Sequence, residues 1–202
     1  MLSCYTSEMT LQSLSDKRQG HRQIKICISG AAETGHCGLD AFEKTKELGR
    51  QIALQGAILL TGATTGVPFW AAMGAKEAGG ISIGFSPAST EREHVEVHKL
   101  PLDYMDLIIY TGFGYSGRDL LLTRSVDAVI CGCGRVGTIH EFTVAFEDNK
   151  PIGIFEGAWE MDGELKEIVA KSHRPYAKIV SSSDPEKLVA DLIALVKKEK
   201  KE

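Results

Sequence analysis

The residues best suited to chemistry gather in one stretch, from Ala128 to Glu141. An apolar run, Ala128 to Cys131, gives way to Gly132, Gly134 and Gly137, spaced G-x-G-x-x-G, and then to Thr138 and Glu141. That order reads as a buried strand, a glycine turn and the start of a helix. The turn lets backbone approach a ligand closely, and the helix start offers free N–H groups and the positive end of its dipole to a phosphate. Glu156 follows Gly137 at about the 20-residue distance of a ribose-binding acid, so the spacing also fits a dinucleotide site. Thr138 and Glu141 form the S/T-x-x-E pattern of a capping box, which alone explains the glutamate. The same carboxylate at a pocket rim could act as a general acid/base or hold a ribose hydroxyl.

Two more glycine turns point to an anion. Gly112, Gly114 and Gly117 repeat the spacing, and Arg118 follows directly, at the mouth of a predicted helix. There it either offers a planar fork to phosphate or carboxylate, or lies on the surface beside Asp119. Gly62, Ala63, Thr64, Thr65 and Gly66 close another strand ahead of Pro68. Small residues there let N–H groups reach an anion, although an ordinary turn with N-capping threonines has the same composition. With Gly30 and Ala31 after the first strand, these turns favour one shared phosphate pocket.

Other side chains offer metal chemistry more weakly. His94 and His98 have i, i+4 spacing, and Cys131 and Cys133 could join His36 and Cys37, but no structural zinc spacing is present. Neither a metal site nor a resident cofactor is expected. Cys4, Cys27, Cys37, Cys131 and Cys133 read as free thiols, with Cys131 and Cys133 packing as small hydrophobes. His140 is expected to point away from Glu141 on the helix.

The elements that must position these groups alternate between strand and helix. Strands are predicted over Ile24–Ser29, Ala57–Thr61, Ile81–Phe85, Asp106–Tyr110, Ala128–Cys131, Pro151–Phe155 and Lys178–Ser181. Helices are predicted over Asp40–Gln55, Phe69–Ala78, Arg118–Ser125, Thr138–Phe146, Met161–Ser172 and Pro185–Lys198, with an irregular excursion over Ala88–Tyr104. Nearly all-apolar strands alternating with helices predict a doubly wound, Rossmann-like parallel sheet with helices on both faces. Ligands of such sheets bind beyond the carboxyl ends of the strands, where these glycines lie. One domain over residues 23–202 is expected, with a flexible extension over 1–22. The 202 residues are 43% hydrophobic and 25% charged, with a net charge of −4, which argues against a nucleic-acid surface. The absence of a run of about 18 apolar residues argues against a membrane helix, and the polar start lacks a secretion pattern. A cytoplasmic location is expected.

Gly137, Thr138 and Glu141, after the strand ending at Cys131, resemble the P-G-G-x-G-T-x-x-E signature of the LOG (lonely guy) family, within the wider SLOG group of Rossmann-like nucleotide-binding domains. The resemblance runs from about Ile24 to Phe155 and takes in the Ser29-Gly30 turn, the Gly62–Gly66 turn, Lys76 to Gly80, and Arg118. It implies a phosphoribohydrolase, which cleaves a nucleoside 5′-monophosphate into free base and ribose 5-phosphate. Glu141 would then act on ribose or water, and Arg118 would balance charge. Gly30, Ala31, Gly62, Thr64, Thr65, Gly66, Gly117, Gly134, Arg135, Val136, Gly137 and Thr138 would hold the phosphate and ligand. A carboxylate beside a developing oxocarbenium ion suits that chemistry.

The chain departs from the signature at three points. Cys133-Gly134-Arg135 replaces Pro-Gly-Gly, Asp119 replaces the lysine after Arg118, and Gly62-Ala63-Thr64 replaces a triple glycine. These changes make the chain similar to a branch resembling molybdenum-cofactor carrier proteins. Hydrolysis is the first expectation from the sequence; a non-catalytic carrier or sensor of a nucleotide or molybdopterin-type cofactor is the alternative, and a dinucleotide-binding oxidoreductase the third. The expected partner is a small phosphate-bearing molecule, with a homo-oligomer, dimer or higher, implied by the family.

Overall fold

Seven strands form one parallel sheet in a computed structural model that describes residues 23–174 and 178–200. In chain order they are β1 (Lys25–Ser29), β2 (Ile58–Thr61), β3 (Ser82–Ser86), β4 (Leu107–Tyr110), β5 (Ala128–Cys131), β6 (Ile152–Phe155) and β7 (Ile179–Ser182). The helices are α1 (Ala41–Leu54), α2 (Val67–Glu77), α3 (Gly114–Ser125), α4 (Val136–Glu147), α5 (Met161–Lys171) and α6 (Pro185–Glu199). The expected doubly wound α/β architecture is present. The predicted extension over 1–22 lies outside the described residues.

Strand order is β4-β3-β2-β1-β5-β6-β7, so the winding reverses between β1 and β5. Right-handed crossovers then send helices to opposite faces on the two sides of that seam. On one face α1 packs on α2 and α6; on the other α3 packs on α4. The registers Ile28↔Thr61 and Ser29↔Cys131 bring the carboxyl ends of β2, β1 and β5 level. Gly62, Gly30 and Gly132 therefore leave the sheet side by side.

The central strands are buried on both faces, and this explains their unbroken apolar runs. Ile26, Ile28, Leu59, Ile130, Ile152 and Ile154 are sealed from solvent with Phe142, Phe155 and Leu165. Each such side chain contributes about 1.5–3 kcal/mol of transfer free energy. Helices α1 and α2 meet backbone to backbone: a Cβ on Gly49 would strike the Ala71 carbonyl, and one on Gly74 the Lys46 carbonyl.

Helix starts moved most from expectation. Helix α3 begins at Gly114, so Gly114 and Gly117 belong to its first turn and Arg118 lies one turn inside rather than at its mouth. Helix α4 begins at Val136 with Arg135 at the N-cap, where no side chain caps it. The excursion between β3 and β4 contains a π-helical turn, Glu93–Val97, around the buried His94, which bonds Ser86 Oγ at 2.8 Å and the Pro101 carbonyl at 2.9 Å. Both nitrogens of His94 are thus occupied, so it is not half of a metal pair with His98.

Candidate functional site

A cleft of about 360 Å³ opens at the carboxyl ends of β1 and β5, over the seam where the winding reverses. Its walls come from four segments: Ile28 to Glu33 at and beyond the end of β1, Gly62 to Pro68 after β2, Tyr115 to Asp119 on α3, and Arg135 to Glu141 at the start of α4. Of the residues expected at the site, Gly30, Gly62, Thr64, Arg118, Arg135, Gly137, Thr138 and Glu141 line it.

The other expected residues shape the walls from behind. Ala31 donates its N–H to the Cys133 carbonyl at 2.8 Å and accepts from Val67 N–H at 2.9 Å, which ties the three loops together. Thr65 Oγ1 bonds the Ala32 carbonyl at 3.2 Å. Gly66 has φ +70°, and a side chain there would strike the Ala31 and Ala32 carbonyls, so glycine is required twice over. Gly134 backs onto the Thr138 side chain, Gly117 lies against Phe113 within α3, and the Val136 side chain points to solvent.

Glu141 is buried at the base of the cleft and is not part of a capping box. Thr138 is already helical, and its N–H bonds the Arg135 carbonyl at 2.9 Å. One Glu141 oxygen accepts from the Ser29 hydroxyl, and the other lies 3.5 Å from Arg118 Nη1. Arg118 also reaches Asp119 at 3.2 Å, and its guanidinium stands 5.9 Å over the Tyr115 ring. Gly62 makes room for it, since a Cβ there would collide with the guanidinium. Arg118 Nε is buried without a hydrogen-bond partner among the described residues.

Burial pushes the Glu141 carboxyl up to about 7, against the opposing pull of Arg118. Asp119 raises it further, while the Ser29 hydrogen bond and His140 lower it. His140 therefore belongs to the network: its Nδ1 lies 3.2 Å from Asp119 Oδ2. Helix α3 packs alongside α4 and brings Asp119 to meet it. At the rim, Arg135 pairs with Glu33 at 2.5 Å, with both side chains largely exposed.

Sequence reasoning did not weigh Ser29, Glu33, Tyr115 or Pro68 as site residues. Ser29 left a signal, as a polar side chain ending an otherwise apolar central strand. Glu33 and Tyr115 left none, since each reaches the cleft only through the loop or helix that carries it. Glu156, the candidate ribose acid, pairs with Lys166 at 2.5 Å and does not line the cleft.

The free-thiol expectation is corrected at two cysteines. Cys37 and Cys133 form a disulfide, with Cα atoms 5.9 Å apart across 96 residues of sequence. Sequence spacing could not show this, because the pair meets only through the adjacency of β1 and β5. Cys27 and Cys131 are free and buried, and burial raises both thiols above their ordinary range.

The fold has counterparts among known proteins. The molybdenum cofactor carrier protein of Chlamydomonas reinhardtii superimposes with a TM-score of 0.68 at 28% identity, over 87% of this chain and 99% of that one. The molybdenum cofactor binding protein of Rippkaea orientalis does so with a TM-score of 0.69 at 29% identity, over 89% and 98%. An uncharacterized protein of Archaeoglobus fulgidus is 29% identical over 129 residues, 64% of this chain and 80% of its own. Residues 23–189 match the family described as SLOG cluster4, a span that holds every wall of the cleft. The chain belongs to the SLOG cluster4 family.

Proposed function

We propose that this protein binds a small phosphate-bearing ligand, a nucleotide or a pterin phosphate, in the cleft over β1 and β5 and holds it without cleaving it. The observation that carries this reading is the joining, at one cleft, of the α4 N-terminus with Arg118, whose buried Nε has no partner among the described residues. The backbone N–H of Gly137, with the positive end of the α4 dipole, would take the phosphate, and the guanidinium supplies positive charge behind it. The cleft volume lies within the range of small-molecule sites, about 300–1,000 Å³. The two carrier or binding proteins of similar structure support the same class of ligand.

Holding rather than hydrolysing follows from how Glu141 is used. Both its oxygens are engaged, by Ser29 and by Arg118, and Asp119 adds a second carboxylate where the LOG signature has a lysine. The hydrolytic reading keeps one observation in its favour. A carboxyl titrating near 7 is poised for general acid/base work. One experiment separates the two: titrate the protein with nucleoside 5′-monophosphates and with a pterin phosphate, and assay the same mixtures for released base. Saturable binding with no base released is the expected result. Base release that disappears in Glu141→Gln would overturn the carrier reading in favour of hydrolysis, and no binding of either class would overturn both.

We further propose a homodimer formed over the apolar side chains that edge strand β4 and helix α3 leave exposed, namely Leu107, Ile109, Phe113, Leu120 and Leu121. A cluster of this kind on a soluble chain commonly marks an interaction surface.

A further inference from the structure

We propose that His36, Cys37 and Cys133 bind a thiophilic cation of the zinc class once the Cys37–Cys133 disulfide is reduced. Their donor atoms all lie within 4.8 Å of one another. One loop, after β1, carries His36 and Cys37; the turn after β5 carries Cys133. A tetrahedral site with Zn–S of about 2.3 Å and Zn–N of about 2.0 Å needs donors about 3.5–4 Å apart, which side-chain rotation reaches from this starting point. Two thiolates with one imidazole form a soft donor set that selects Zn²⁺ or Cu⁺ over Mg²⁺ or Ca²⁺.

The hydrogen bond of His36 sets its tautomer for such a role. Its Nε2 lies 3.2 Å from the Gly134 carbonyl, so a proton there donates to the carbonyl and leaves Nδ1 with the free lone pair. Three protein ligands leave a fourth position. His36 also lines a second cleft, of about 320 Å³, with Gly134, Glu160 and Glu164, from which water or a carboxylate can complete the set. Cys27 and Cys131 do not join the group, being buried away from it.

The redox balance is simple. A dithiol reductant gives two electrons and two protons to the Cys37–Cys133 bond and becomes a disulfide itself; the cation then displaces both thiol protons. In either state the β1 loop stays joined to the glycine turn that begins α4. In the oxidised protein neither Cys37 nor Cys133 has a thiolate to offer.

The test uses full-length protein in a Cys4→Ser background, titrated with Co²⁺ and then Zn²⁺ after dithiol reduction and removal of the reductant. Thiolate-to-cobalt charge-transfer absorption that saturates at one ion per chain, and that Zn²⁺ abolishes, is expected from the reduced protein and not from the oxidised one. His36→Ala, a change at an exposed residue, should weaken Zn²⁺ by at least roughly 10-fold, the scale on which even outer-sphere partners act. Cys37→Ser should remove the absorption. No such band from the reduced protein, or a band that survives both substitutions, would overturn the proposal.

Discussion

At Glu141 burial outweighs the guanidinium beside it, and this has a consequence for stability. Its carboxyl titrates near 7 in the folded chain and near 4.5 when exposed. Between those values the folded state binds more protons than the unfolded one, so stability falls as pH rises. The contribution is fully present below about 4.5 and is lost above 7, to the extent of about 3 kcal/mol. Glu141→Gln, which mimics the protonated form, should therefore gain stability relative to the native chain between pH 5 and pH 8. Urea denaturation at both values measures this, and an unchanged difference would refute the raised titration. Ligand binding should follow the same sign: an anion beside Glu141 favours the protonated carboxyl, so affinity should fall above pH 7 by up to tenfold per unit. Isothermal titration across pH 6 to 8.5 checks that slope.

Among the elements, the glycines divide by what stands against them. Gly62 faces the Arg118 guanidinium, and Gly137, already helical in α4, faces open space. Gly62→Ala should cost about 1–3 kcal/mol through overpacking and should displace Arg118 from Glu141. Gly137→Ala should instead stabilise by about 0.5–1 kcal/mol, the ordinary gain at a helical position. Chemical denaturation of the two variants distinguishes them, and equal effects would mean that Arg118 does not lean on Gly62. The G-x-G-x-x-G spacing at 112–117 looked like a second anion turn, yet two of its glycines begin a helix. Spacing alone does not separate a loop glycine from one in a first helical turn.

For the molecule as a whole, the exposed apolar side chains of β4 and α3 predict association. Light scattering should give twice the 21.9 kDa chain mass, and Leu121→Glu should shift it toward one chain while leaving the circular dichroism unchanged. A native chain at the single mass would reject the dimer. The sequence by itself determined the parallel α/β architecture, the position of each strand and the glycine turns at the strand ends. Those features follow from local apolar runs and helical periodicity, which neighbouring residues carry. It also singled out Arg118 and Glu141, through resemblance, as a pair. Only the tertiary structure decided what they touch: Ser29 under Glu141, Asp119 joined to His140, Arg135 held by Glu33, and Cys37 bonded to Cys133. Most of these contacts cross loops or helices that meet because β1 lies against β5 and α3 against α4, and a strand order is a long-range choice that no local pattern encodes.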